Sequence, residues 1–306
     1  MKKILFTVLA LGTSVSAMAN NPYDVCESIR NNTSSTDRIT KCMSIVSRNQ
    51  IDRNAIPILV KLAKSSTTET LNSLKAVSNK SLQIEAVQTC NSILNNTSSY
   101  QRVTSCLSKA GNKSFEPSVL KLISSLAKSS TTEALNSIGQ AANKSFQLEA
   151  VQTCSSILSN TSSYQRVTSC IGKIANNDFD PSALIIINNL AKSSTTEALN
   201  SVNAVANSYF QIEGVKVCSA ILRNTSSYQR VTSCLGSIAN KSFAYGSTVM
   251  CERTASSSTT EALNCLRTIA RDYTPRPTPG PTRPDPIPTD SEEIIVNLAD
   301  ITKRKR

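Results

Sequence analysis

Residues 83–107 read QIEAVQTCNSILNNTSSYQRVTSCL, and nearly the same text returns at 147–171 and 211–235. Within it, Cys90 and Cys106 recur 64 residues on as Cys154 and Cys170, then as Cys218 and Cys234. A more diverged copy precedes them with Cys26 and Cys42. Around the first cysteine, apolar residues fall at Ile84 and Val87; around the second, at Val103, Cys106 and Leu107. Steps of three and four are helix spacing, not strand alternation. A polar Asn-Thr-Ser-Ser turn separates the two segments, so each copy reads as an antiparallel helical hairpin.

Residues equally far from such a turn face each other. Cys90 lies eight positions before Ser98 and Cys106 eight after it. The expected disulfides are therefore Cys26–Cys42, Cys90–Cys106, Cys154–Cys170 and Cys218–Cys234, although spacing alone leaves pairing between neighbouring units open. Closing a loop of this size is worth about 3 kcal/mol in the chain-entropy model.

Between the cysteine-bearing copies lies a related segment without cysteine. Residues 119–127 are apolar at helix spacing, Lys128-Ser129-Ser130 forms a turn, and Thr131 to Ile138 is apolar-periodic again. Ser130-Thr-Thr-Glu133 has the form of a capping box, repeated at Ser66–Glu69, Ser194–Glu197 and Ser258–Glu261. Ser98–Gln101, Ser162–Gln165 and Ser226–Gln229 are expected to play the same part, with Ser34–Asp37 a weaker version. Pro117 and Pro181 sit where a helix starts and a missing N–H costs nothing, with Pro57 as their counterpart. The last segment has Cys251 and Cys265 flanking its turn, an expected fifth disulfide that caps the array.

The expected fold is all-α: a right-handed α-solenoid of about eight antiparallel helical hairpins of ~32 residues each, a 64-residue double repeat stapled by disulfides. Aromatic residues make up only 4% of the chain, which suits a thin two-layer array filled by Leu, Ile, Val and Ala. It resembles tetratricopeptide-type and Sel1-type solenoids in general design only. The period and the cysteine spacing match neither, so no residue roles carry over.

The 306-residue chain has a formal charge of +12 and no histidine, which removes the commonest general base and metal ligand. Residues 1–19 read as a secretory signal peptide of bacterial type, with Lys2 and Lys3, apolar Ile4 to Leu11, and a small-x-small site at Ala17-Met18-Ala19. A periplasmic or secreted location follows, where an even set of cysteines forms disulfides. The array is expected over 20–274 and a Pro-rich linker over 275–289, which holds seven of the eleven prolines. Residues 290–306 read as a short amphipathic tail with Ile294, Ile295, Leu298 and Ile301 ahead of the basic Lys303-Arg-Lys-Arg306.

No catalytic constellation, cofactor motif, metal site or small-molecule substrate is expected. Close Cys-x-x-Cys spacing, which thiolate zinc sites favour, is absent. The expected function is a non-catalytic scaffold for protein–protein interaction. The alternative is binding of an anionic envelope polymer or nucleic acid through basic stripes at the hairpin turns. Those stripes are Arg38, Arg102, Arg166 and Arg230, with Lys64, Lys128 and Lys192. Beside them Tyr100, Tyr164 and Tyr228 form either a stacking platform or turn packing. The tail has three readings: docking on the array, presentation to a protein partner, or contact with an anionic membrane surface.

Overall fold

A computed structural model describes residues 21–273. The signal peptide, the Pro-rich linker and the basic tail inferred from the sequence lie outside the described residues. The described residues are mostly helical, with sixteen α-helices: α1 (Tyr23–Asn31), α2 (Thr36–Arg48), α3 (Ile56–Ser65), α4 (Thr67–Val77), α5 (Ile84–Asn95), α6 (Gln101–Ala110), α7 (Pro117–Ala127) and α8 (Thr131–Ala141), then α9 (Leu148–Asn160), α10 (Gln165–Ile174), α11 (Pro181–Ser193), α12 (Thr195–Val205), α13 (Ile212–Asn224), α14 (Gln229–Ile238), α15 (Val249–Thr254) and α16 (Thr259–Ile269). Two short strands, β1 (Lys241–Ser242) and β2 (Arg271–Asp272), pair antiparallel.

Each odd-numbered helix packs on the even-numbered helix that follows it. Odd-numbered helices also pack on the next odd-numbered one, as α5 does on α7 and α9 on α11, and even-numbered helices on the next even-numbered one. Leu, Ile, Val and Ala fill the space between, and Leu59, Leu74, Leu107, Ile123, Leu126 and Ile138 are fully buried. Truncating one of these to alanine costs about 2–5 kcal/mol.

Five disulfides join Cys26–Cys42, Cys90–Cys106, Cys154–Cys170, Cys218–Cys234 and Cys251–Cys265. The first four tie α1 to α2, α5 to α6, α9 to α10 and α13 to α14, with Cα–Cα separations of 5.5 to 5.6 Å. Multiple disulfides fit an oxidising extracellular or periplasmic environment. Among the described residues, no helix is long and apolar enough to cross a membrane.

The helix starts differ from the capping expected of them. Ser66, Ser130, Ser194 and Ser258 do cap α4, α8, α12 and α16, each hydroxyl accepting the N–H of Glu69, Glu133, Glu197 or Glu261. The glutamates do not reach back: Glu69, Glu133 and Glu197 instead accept the hydroxyls of Thr104, Thr168 and Thr232, 35 residues further on. Ser98, Ser162 and Ser226 are not caps, because α6, α10 and α14 begin after Tyr100, Tyr164 and Tyr228, which make no side-chain cap. In the first copy the cap is Ser35 rather than Ser34, and it accepts from Arg38 N–H. At Glu69, Glu133 and Glu197 a bond to the next helix pair stands in place of the reciprocal cap.

The connections between helix pairs are stitched on one plan. Asn79, Asn112, Asn143, Asn176, Asn207 and Asn240 all take a left-handed backbone, with φ between 55° and 58°. Asparagine is among the few residues that tolerate this region. Each receives the N–H of a residue in the preceding connection on its Oδ1, those donors being Gln50, Ser81, Ser114, Ser145, Asp178 and Tyr209. Each returns its own N–H to the carbonyl of that same residue at 2.8–3.0 Å. Gln83 and Gln147 add a second clamp, their side-chain amides exchanging two hydrogen bonds with the backbones of Phe115 and Phe179. Beyond Asn240, the β1–β2 pair continues the row, with Lys241 opposite Asp272. The Lys241 ammonium, hydrogen-bonded to Asp272 and close to it, holds the Asp272 carboxyl below its ordinary value.

Candidate interaction surface

The arginines singled out in the sequence lie at the start of even-numbered helices and are half-buried. Their guanidinium groups reach across to the next helix pair. Arg38 Nη1 donates to Thr67 Oγ1 at 2.8 Å, and Arg102, Arg166 and Arg230 donate to Thr131, Thr195 and Thr259 at 3.2, 3.2 and 3.0 Å. Arg102 and Arg166 also bond to Thr97 and Thr161 of their own turn. These side chains link neighbouring turns.

Lys64, Lys128 and Lys192 are exposed. Lys192 donates to Asn189 Oδ1 at 3.1 Å, one turn back on its own helix. Tyr100, Tyr164 and Tyr228 are half-buried and pack against the apolar core.

A second set of side chains carries no functional expectation from the sequence. Ile84, Leu148 and Ile212 occupy the first position of α5, α9 and α13, 64 residues apart, and are 50%, 54% and 51% exposed. They recur on the odd-numbered helices, near the asparagine-stitched connections. Between α3 and α5 a groove of about 350 Å³ is lined by Arg53, Pro57, Ile58, Lys61, Ile84 and Val87 among others. The lining combines apolar side chains with the cations Arg53 and Lys61. The sequence signal was available in the exact recurrence of a large apolar residue one step after Gln83, Gln147 and Gln211. The three- and four-residue periodicity hid it by assigning Ile84 to the core.

Among the described residues no group of three or more His, Cys, Asp or Glu side chains is placed to hold a metal ion. All ten cysteines are disulfide-bonded. No protein-family model, no curated protein and no solved structure matches this chain.

Proposed function

We propose that the chain is an exported, non-catalytic solenoid of helical hairpins that acts as a scaffold for a protein partner. The observation that carries this reading is the recurrence of exposed Ile84, Leu148 and Ile212 every 64 residues. Solvent-facing large apolar residues at a fixed interval suit an extended partner that places an apolar side chain against each one. Arg53 and Lys61 in the groove lining favour a partner segment with acidic residues beside its apolar ones. The two-way packing of each helix on its pair-mate and on the next pair supports the solenoid reading.

The second reading, an anionic polymer along the hairpin turns, draws support from exposed Lys64, Lys128 and Lys192. The arginines contribute less to it, because each is already engaged with threonine.

The test is capture from the envelope of the producing cell by the oxidised chain, at low and high salt. The scaffold reading expects a defined protein that survives salt and is lost when Ile84, Leu148 and Ile212 are together changed to serine. Capture that is released by salt and abolished by changing Lys64, Lys128 and Lys192 to glutamine would overturn it in favour of the polymer.

A further inference from the structure

The two ends of the described chain expose the faces that internal helix pairs cover. At the first end Met43 of α2 stands in the register of Leu107, Ile171 and Leu235. Those three are 0% exposed, whereas Met43 is 44% exposed. Tyr23 of α1 is also exposed, at positions where Val87, Val151 and Val215 are buried. Thr40 faces solvent, whereas its counterparts Thr104, Thr168 and Thr232 donate to the carboxylates of Glu69, Glu133 and Glu197 at 2.9, 2.7 and 2.7 Å.

The other end presents the matching half. Met250 of α15 occupies the register of Ile58, Leu122 and Ile186, which are 3%, 4% and 3% exposed, and is itself 66% exposed. Glu261 of α16 stands in the register of Glu69, Glu133 and Glu197 and is exposed. Among the described residues no helix follows α16 to bring it a threonine.

We infer that the protein self-associates head to tail, the α15–α16 end of one copy seating the α1–α2 end of a second copy. The junction repeats the internal one in which α11 packs on α13 and α12 on α14. Met250 meets Tyr23, and Glu261 accepts the hydroxyl of Thr40. Charge favours this pairing over an internal one. Lys41 replaces Ser105, Ser169 and Ser233, so a cation stands next to Thr40 and opposite Glu261. Its present partner is Asp37, at 2.7 Å and well exposed, and such pairs hold weakly.

The junction is weaker than an internal one. Ser73, Ser137 and Ser201 each bond to the threonine of the next pair, but the same register at the end holds Cys265, tied to Cys251. One hydroxyl is therefore missing, and methionine, which adapts to varied surfaces, supplies the apolar contact on both sides. Joining unlike ends leaves a free end on each dimer, so copies add on as an open chain wherever the rotation does not close a ring.

The inference rests on the stacked-array reading. It is tested by sedimentation of the oxidised chain from residue 20 onward over a range of concentrations, beside Met43→Glu and Met250→Glu. Wild type is expected to grow in mass with concentration without a fixed ceiling. Each variant alone is expected to remain a monomer with wild-type helicity by circular dichroism, and an equimolar mixture of the two to stop at a dimer through the one junction both leave intact. A wild type that stays monomeric to its solubility limit, a Met43→Glu variant that still self-associates, or a mixture that stays monomeric would overturn it. If the array reading itself were wrong, the internal spacings tested at the end of the Discussion would fail in the monomeric variants as well.

Discussion

Asn176 and Ser145 are joined by three hydrogen bonds: the Ser145 N–H and hydroxyl donate to Asn176 Oδ1 at 3.0 and 3.3 Å, and the Asn176 N–H donates to the Ser145 carbonyl at 3.0 Å. The pair locks one connection to the next while Asn176 holds a φ of 57°. Changing Asn176 to alanine removes both bonds to the side chain and strains the backbone, a loss of about 1–3 kcal/mol. Glycine keeps the backbone and loses only those two bonds, with an added entropic cost of about 0.4–1 kcal/mol. Urea unfolding is expected to rank wild type above Asn176→Gly and Asn176→Ala last; an unaffected alanine variant would contradict the role given to this ladder.

Thr168 anchors a small polar cluster between α8 and α10. Its hydroxyl lies 2.7 Å from Glu133 Oε2 and 3.1 Å from Ser137 Oγ. Thr168→Val leaves both partners without this contact and is expected to destabilise by about 1–3 kcal/mol. Thr40→Val, at the exposed counterpart, is expected to leave the monomer unchanged. Equal losses at both sites in thermal melts of the monomer would show that the cluster contributes nothing specific.

Removing the Cys154–Cys170 disulfide by serine substitution at both positions releases a loop with a sequence separation of 16. The expected loss is about 3 kcal/mol. Hydrogen exchange should rise first in α9 and α10, where the staple acts. Exchange that rises uniformly over the whole chain would contradict a local role.

Asp272 and Lys241 give a pH signature. The carboxyl is held below its ordinary value of 3.8 by the hydrogen bond and charge of Lys241. Its contribution is present above that value and is lost as pH falls through the lowered folded one. Carboxyl chemical shifts followed by NMR should show the Asp272 midpoint rise in Lys241→Ala. An unmoved midpoint would remove Lys241 as the cause.

Much of the helical framework was legible in the sequence because its signals are local. Ser66, Ser130, Ser194 and Ser258 read as caps since the serine bonds within its own turn. Cysteines at equal distances on either side of a turn meet because two helices pack across it. The unread features all depend on the neighbouring helix pair. Glu133 looks like half of a capping box until packing brings Thr168 to it. Arg166 reads as a solvated charge until Thr195, 29 residues on, is placed within reach. Asn79, Asn112 and Asn143 pass as turn residues, although Asn-Lys-Ser recurs at all three and again at Asn240. Alternate gaps of 33 and 31 residues blur that recurrence beneath the 64-residue period.

The central claim is that successive 64-residue units stack at even intervals. Lys64, Lys128 and Lys192 are exposed and equivalent in register, which suits them to spin labels attached through unnatural amino acids that spare the disulfides. Electron–electron distances in the monomer should be similar for 64–128 and 128–192, at about 20 Å given helix layers roughly 10 Å apart. The 64–192 distance should approach twice that. A 64–192 distance no longer than either neighbouring one would contradict the stacked array.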